Sequence, residues 1–92
     1  MTLQQFQQQY SIITKSFEYG DVFYNVAIAP EYFKAEDGLD FTGSYHCLLI
    51  SSEWGTQQFD MLPHGETWEA EGATLIQGIV DLLSQYIKDS RQ

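Results

Sequence analysis

The residues of this chain that could perform nucleophilic chemistry are His46, Cys47 and His64. A thiolate nucleophile needs an imidazole within hydrogen-bonding reach to activate it. His46 and Cys47 are adjacent in a segment whose composition predicts a β-strand, so their side chains should point to opposite faces of a sheet. His64 could approach Cys47 in space, but no motif links the two positions. We therefore expect no Cys–His dyad and no catalytic residue.

Metal and phosphate sites also lack a recognisable pattern. With two histidines and one cysteine, no ligand pair has the spacing of a zinc site. Asp37 and Asp40 flank Gly38 as in part of a calcium loop, but the alternating ligands and the terminal glutamate of such loops are absent. Glycine-rich phosphate-binding motifs are missing as well. We expect a protein that is not an enzyme, holds no metal or cofactor, and keeps its melting temperature when a chelator is added.

Acidic residues dominate the charge of the chain. Its 13 Asp and Glu against 4 Lys and Arg give a formal net charge of −9. From Glu18 to Glu71 there are eleven acids and one base, Lys34. Such a field repels the phosphates of free nucleic acid and of anionic lipid, and it attracts basic protein surfaces. Solubility is the simpler explanation of the same excess.

Length and hydropathy indicate one folded domain over residues 1–92. The hydrophobic content of 43% and the aromatic content of 15% separate the chain from disordered acidic tails. The first residues lack the pattern of a signal peptide, and no apolar run approaches the roughly 18 residues of a membrane helix. A single cysteine fits a reducing compartment. We expect a cytoplasmic protein that does not associate with membranes.

Two amphipathic helices are predicted, one near each end of the chain. The first covers residues 2–13, where apolar residues recur at helical spacing after a Thr2–Gln5 capping box. The second covers residues 75–87, and its apolar arc should be buried on a sheet. The residues of that arc expected to be most buried are Leu75, Ile79, Leu82 and Leu83.

The start of the second helix has two possible positions. Thr67 is the favoured N-cap, because Glu69 and Glu71 would then lie near the positive end of the helix dipole. Thr74 with Gln77 forms an alternative capping box.

About four strands are expected between the helices. A type II′ turn at Gly20-Asp21 leads into an alternating strand over 22–29, which Pro30 should end. Residues 30–43 are predicted to be an irregular connection. Two further strands follow, over 44–52 and 56–62. The first of these is apolar on both faces and should therefore be central or covered on both sides. The expected fold is α+β: a small antiparallel meander with both helices packed on it.

Two predicted loop segments concentrate seven of the acids, namely 30–43 and the residues before the last helix. Loops carry binding residues more often than the scaffold does, and Tyr32 and Phe33 would supply apolar anchors. Trp54 is a further exposed aromatic candidate. The predicted partner-binding residues are Glu31, Tyr32, Phe33, Glu36, Asp37, Asp40, Glu66, Glu69 and Glu71.

In length, acidity and element order the chain resembles phage-encoded anti-CRISPR proteins, in particular inhibitors of the type I-F surveillance complex. The resemblance implies a non-enzymatic inhibitor in the host bacterial cytoplasm that binds the RNA-guided complex and blocks target DNA. The DNA-holding channel of such complexes is basic, which suits an acidic ligand. Contact with guide RNA through Lys15 or Lys34 stays open. The alternative is an immunity or antitoxin-like protein that covers a basic nuclease toxin.

Overall fold

The computed structural model describes residues 1–91 and shows the α+β fold expected from the sequence. A single antiparallel sheet has the strand order β1-β2-β3-β4-β5, so each strand pairs with the next along the chain. One helix precedes the sheet and one follows it. The elements are α1 (Leu3–Gln9), β1 (Ile13–Tyr19), β2 (Val22–Ala35), β3 (Gly38–Ser51), β4 (Gly55–His64), β5 (Thr67–Glu71) and α2 (Gln77–Ser90).

The predicted hairpin turn at Gly20-Asp21 is confirmed, although its type differs. Both residues have positive φ, 58° at Gly20 and 64° at Asp21. Two consecutive positive φ values define a type I′ turn, whereas the predicted type II′ turn needs only the first. The type I′ twist matches that of the flanking strands, and β1 and β2 pair in register from Tyr19–Val22 to Ile13–Ile28.

The prediction that Pro30 ends the second strand is wrong, and so is the irregular connection over 30–43. β2 continues to Ala35 and forms a long hairpin with β3. Pro30 pairs with Tyr45, while Tyr32 pairs with Phe41. Three residues of β3, 42–44, therefore lie opposite a single residue of β2. This bulge explains the error, because proline is tolerated in a strand where a bulge interrupts the ladder.

Both helices pack on one face of the sheet, here called the inner face, which carries the core. Leu83 and Ile87 of α2 are fully buried there. Phe6 of α1 is 2% exposed and covers the far part of the β2–β3 hairpin, with its ring centroid 5.2 Å from that of Tyr32. The strand residues of this core are Ile13, Val22, Tyr24, Val26, Ile28, Tyr45, Cys47, Leu49, Phe59 and Met61.

The first helix is shorter than predicted, but its start is confirmed. The Thr2 hydroxyl accepts a hydrogen bond from the Gln5 backbone N–H, and the Gln5 side chain accepts one from the Thr2 N–H. These two bonds form the predicted capping box. The helix ends at Gln9, and Ile13 belongs to β1.

The predicted N-cap of the last helix, Thr67, is wrong. Residues Thr67–Glu71 form a fifth strand, and α2 begins at Gln77 with Ile76 as its N-cap. The strand forms because Trp68 and Ala70 alternate towards the core while their neighbours face solvent, which is a period of two.

Four leucine and isoleucine residues of the last helix were expected to be buried, and two of them are. Ile79 is 2% exposed and Leu83 is fully buried. Leu75 lies before the helix and is only partly buried, and Leu82 is also half-buried. Compared with the orientation expected from the sequence, α2 is rotated about its own axis. Its buried residues are Ile79, Val80, Leu83 and Ile87.

Candidate partner-binding face

The face of the sheet opposite the helices, here called the outer face, is open. β3 is central in the strand order, as its apolar sequence predicts. Of the two alternatives, central or covered on both sides, the structure shows the first, and Ile50 is 44% exposed on the outer side. Phe23 of β2 is 64% exposed on the same face. Large apolar side chains left in solvent mark interaction surfaces when they are contiguous with other apolar positions.

The half of the outer face nearest the β1–β2 turn carries apolar side chains among polar ones. Ala27 pairs with Leu48, and Asn25 pairs with Ile50. Ala27 and Leu48 are half-buried by their neighbours in the sheet. Together with Phe23 they form a shallow apolar strip that crosses β2 and β3.

The other half of the outer face is acidic. Strand pairing brings His46, Asp60 and Glu71 into one row across β3, β4 and β5. Glu69 lies one row further on, opposite Leu62. Glu31 of β2 also belongs to this cluster, because the negative charge of Asp60 acts on its carboxyl group and helps to raise its pKa. Four carboxylates from three strands therefore share one surface.

His46 lies within this acidic cluster and bridges two of its neighbours. Its Nδ1 is 2.9 Å from Asp60 Oδ1, and its Nε2 is 3.3 Å from Gln58 Oε1. The hydrogen bond to Asp60 is the main cause that raises the pKa of His46. The pKa of Glu31 is also raised, first by burial and then by the negative charge of Asp60. The cluster thus favours the imidazolium form of His46 and disfavours the ionised form of Glu31.

Within residues 1–91, no lysine or arginine side chain lies on the outer face. Lys15 lies at the edge of the inner side, with its Nζ 5.8 Å from the centroid of the Tyr86 ring. Lys34 alternates to the same side of β2 as Tyr32. Lys88 belongs to α2, and Arg91 follows it, 5.9 Å from the Phe41 ring on the inner side. No lysine or arginine therefore neutralises the acidic half of the outer face, and the basic side chains beside its acids are His46 and His64.

The structure brings together only some of the predicted partner-binding residues. Alternation along the strands places the side chains of five of them on the outer face. These are Glu31, Phe33, Asp40, Glu69 and Glu71. Tyr32 points the other way, packed edge-on against Phe6 of α1.

The remaining three predicted residues lie at turns. Glu36 and Asp37 form the turn between β2 and β3, and Glu66 lies in the turn between β4 and β5. In a meander these two turns are at the same end of the sheet. They therefore flank the acidic half of the outer face without belonging to it.

Asp60 and His46 are functional candidates that the sequence-based selection missed. Asp60 faces away from Phe59 and Met61 in an alternating strand, which was visible in the sequence. Its position beside Glu31 and Glu71 depends on the register of three strand pairs, and no local pattern gives that register.

The arrangement separates the two adjacent residues that a Cys–His dyad would need. Cys47 is fully buried on the inner face and His46 is exposed on the outer face, so they point in opposite directions as alternation predicts. Within residues 1–91, no group of three or more His, Cys, Asp and Glu is placed to hold a metal ion. In the same range, neither helix has the length and apolar character needed to cross a membrane.

Comparison with known protein families, curated protein sequences and solved structures finds no match to this chain.

Cys47 should be chemically inert in the folded protein. Burial raises the pKa of its thiol to about 12, and the charges of Asp60 and Glu31 add to this effect. Because the thiolate is the reactive form, we expect iodoacetamide at about pH 8 to leave the native protein unmodified and to alkylate it fully after unfolding in guanidinium. Mass spectrometry of both samples checks this, and rapid alkylation of the native protein would contradict it.

The stability of the fold should increase as the pH falls through the range in which His46 titrates. Its pKa is raised above the usual 6.5, so the folded state binds the proton more tightly than the unfolded state does. This stabilisation is complete below about pH 6.5 and is lost as the pH rises through the folded pKa. The effect should stay below about 1 kcal/mol because the side chain is half exposed.

The measurement for this pH effect is urea denaturation at a series of pH values, for the wild type and for His46→Asn. The variant should lose the extra slope that begins near about pH 6.5 and extends above it, while the general charge repulsion acts on both proteins. Glu31→Gln should reduce this slope in part, because the negative charge of Glu31 is one of the causes that raise the pKa of His46. Identical slopes for wild type and His46→Asn would refute the assigned role of His46.

Proposed function

We propose that this chain is a non-enzymatic protein that binds the basic surface of a partner protein through its outer face. One observation carries the proposal: carboxylates from β2, β4 and β5 cluster on an open sheet face on which no lysine or arginine lies. Solubility requires acidic residues on the surface, but it does not require four of them to cluster on one face while the four lysine and arginine residues lie elsewhere.

The two halves of the face would contribute differently to binding. Desolvated apolar and aromatic contacts supply most of the affinity at an interface, whereas surrounding charges mainly set the association rate and the choice of partner. The strip containing Phe23, Leu48 and Ile50 would supply the first contribution. Glu31, Asp60 and their neighbours on β5 would supply the second. Phe33 is 49% exposed beside Asp40 and would extend the contact along the hairpin.

The partner we propose is a protein surface that normally holds nucleic acid. Such surfaces are basic, and an acidic protein bound there excludes the phosphate backbone. The resemblance noted from the sequence narrows the proposal to inhibition of an RNA-guided CRISPR surveillance complex by competition with target DNA. A basic nuclease toxin offers the same chemistry, and it is the alternative partner.

The proposal is tested with purified type I-F surveillance complex and labelled target DNA. The chain should reduce DNA binding in a dose-dependent manner, and its affinity for the complex should fall as salt increases. In a second experiment the immobilised chain captures proteins from a lysate of the native host, and a salt gradient elutes them. This extends the test to a nuclease toxin. A partner whose binding is insensitive to salt would contradict the charge-based proposal.

Two lysine variants in the same experiment test the proposal from the opposite direction, since they change residues outside the proposed interface. Lys15 and Lys34 lie away from the outer face and should tolerate substitution by alanine without loss of inhibition. Inhibition abolished by Lys15→Ala or Lys34→Ala would indicate a binding mode led by contacts to RNA, and it would exclude the outer face as the main interface.

A further inference from the structure

A pocket of about 290 Å³ lies on the inner face, at the end of the sheet where the β3–β4 turn meets the start of α2. Leu49, Leu75 and Ile79 form its apolar lining. This volume is just below the usual range for ligand pockets, roughly 300–1,000 Å³. The pocket is on the opposite side of the sheet from the proposed partner-binding face, so the two are independent.

A polar side chain occupies a core position in this pocket. Gln57 pairs with Leu49 and precedes Phe59 by two residues, so it points to the inner face. Its Oε1 atom is buried and accepts no hydrogen bond from any residue between 1 and 91. A buried acceptor without a donor is destabilising and is rare in folded proteins. A ligand that brings one donor into the pocket would remove this cost.

Exposed apolar residues stand at the mouth of the pocket. Trp54 is 69% exposed and Ile76 is 57% exposed. The turn that carries Trp54 is held in place by the Ser51 hydroxyl, which accepts hydrogen bonds from the backbone N–H groups of Glu53 and Trp54 at 3.1 and 3.0 Å. The indole is thus presented by an ordered turn, as needed to cover an aromatic ring.

We propose that this pocket binds a flat aromatic group that carries a single N–H or O–H donor, such as an indole or a phenol. The donor hydrogen-bonds to Gln57 Oε1, the ring packs on Leu49 and Ile79, and Trp54 covers it. The group can belong to a small molecule or to an aromatic side chain of a protein, since both present the same chemistry.

Indole and indene form the matched pair of probes, because they have nearly the same shape and only indole has an N–H donor. Titration of the isotope-labelled protein, followed by two-dimensional amide NMR, should show saturable shifts at Trp54, Gln57 and Ile79 with indole. Indene should bind about five- to tenfold more weakly, the usual net contribution of one hydrogen bond. Equal affinities, or no saturation with indole, would overturn the proposal.

The variant Gln57→Leu provides a second test, since it removes the acceptor and keeps the volume. It should bind indole no better than indene. N-acetyl-tryptophanamide, added to the wild type, distinguishes a protein side chain from a small molecule as the ligand. If it binds as indole does, the ligand is a tryptophan-like side chain. If it does not bind, the ligand is a small molecule. Indole shifts confined to the outer face would place the ligand elsewhere and refute the pocket.

Discussion

Truncation of Leu83 to alanine is expected to lower the free energy of unfolding by about 2–5 kcal/mol. Leu83 is fully buried where α2 packs on the sheet, so the change removes apolar contacts and leaves a cavity that rigid neighbours fill only in part. Small domains are stable by only about 5–15 kcal/mol, so a substantial part of the folded population should be lost on mild heating.

The matched control is Leu82→Ala, one residue away in the same helix. The sequence predicts this leucine to be buried, but the structure leaves it half-buried, so its truncation should cost clearly less than that of Leu83. Urea denaturation followed by circular dichroism measures both, with an unchanged dependence on denaturant as the sign of an intact two-state transition. Equal costs at the two positions would show that the orientation of α2 is wrong.

Periodicity predicted much of the fold because it reports burial directly. Val22, Tyr24, Val26 and Ile28 alternate with polar or small residues, and these four residues do form the inner side of β2. Phe59 and Met61 predict β4 in the same way. Where a strand has one buried face, a period of two is sufficient to place its side chains.

The errors occur where a local signal competes with tertiary pairing. Proline ordinarily stops a strand, but at Pro30 the partner strand bulges and pairing resumes at Tyr32. Thr67 followed by two glutamates is typical of a helix start, yet pairing with His64 makes it the beginning of β5. In both cases a neighbouring strand stabilises a conformation that the isolated segment does not specify.

The candidate site depended even more on long-range structure. The sequence shows where acids are frequent, and it drew attention to Glu31, Glu69 and Glu71. It could not show that Asp60 lies between them, since this follows from the pairing of four strands. The sequence also could not show that Tyr32 and Phe33 point to opposite faces of the sheet. Side chains alternate between faces only in a strand, and the sequence predicts a loop for this segment.

Reversal of charge on β5 should have the largest effect on partner binding. The double variant Glu69→Lys, Glu71→Lys replaces two exposed carboxylates of the acidic half with amines that repel a basic surface. We expect affinity for the partner to fall by at least about tenfold at physiological salt, equivalent to about 1.4 kcal/mol. Stability should change by no more than about 0.5 kcal/mol per exposed site.

The control for this reversal is Asp81→Lys, Asp89→Lys, which changes the net charge by the same amount on the solvent side of α2. Both aspartates are exposed and accept hydrogen bonds only from glutamines of their own helix. If net charge alone attracted the partner, the two double variants would weaken binding equally. A loss confined to the β5 variant therefore assigns binding to the outer face.

A third double variant, Asp37→Lys, Asp40→Lys, tests whether the β2–β3 hairpin contributes to the interface in addition to the centre of the outer face. Asp37 lies at the tip of the β2–β3 turn, and Asp40 lies beside Phe33 on the outer side of the arm. Weakening by this variant as strong as that by the β5 variant would extend the interface along the whole hairpin. Full affinity would confine it to the rows formed by Glu31, Asp60 and Glu71. Unchanged binding by both the β5 variant and the hairpin variant would refute the acidic face as an interface, because each of these two adds positive charge where a basic partner would have to dock.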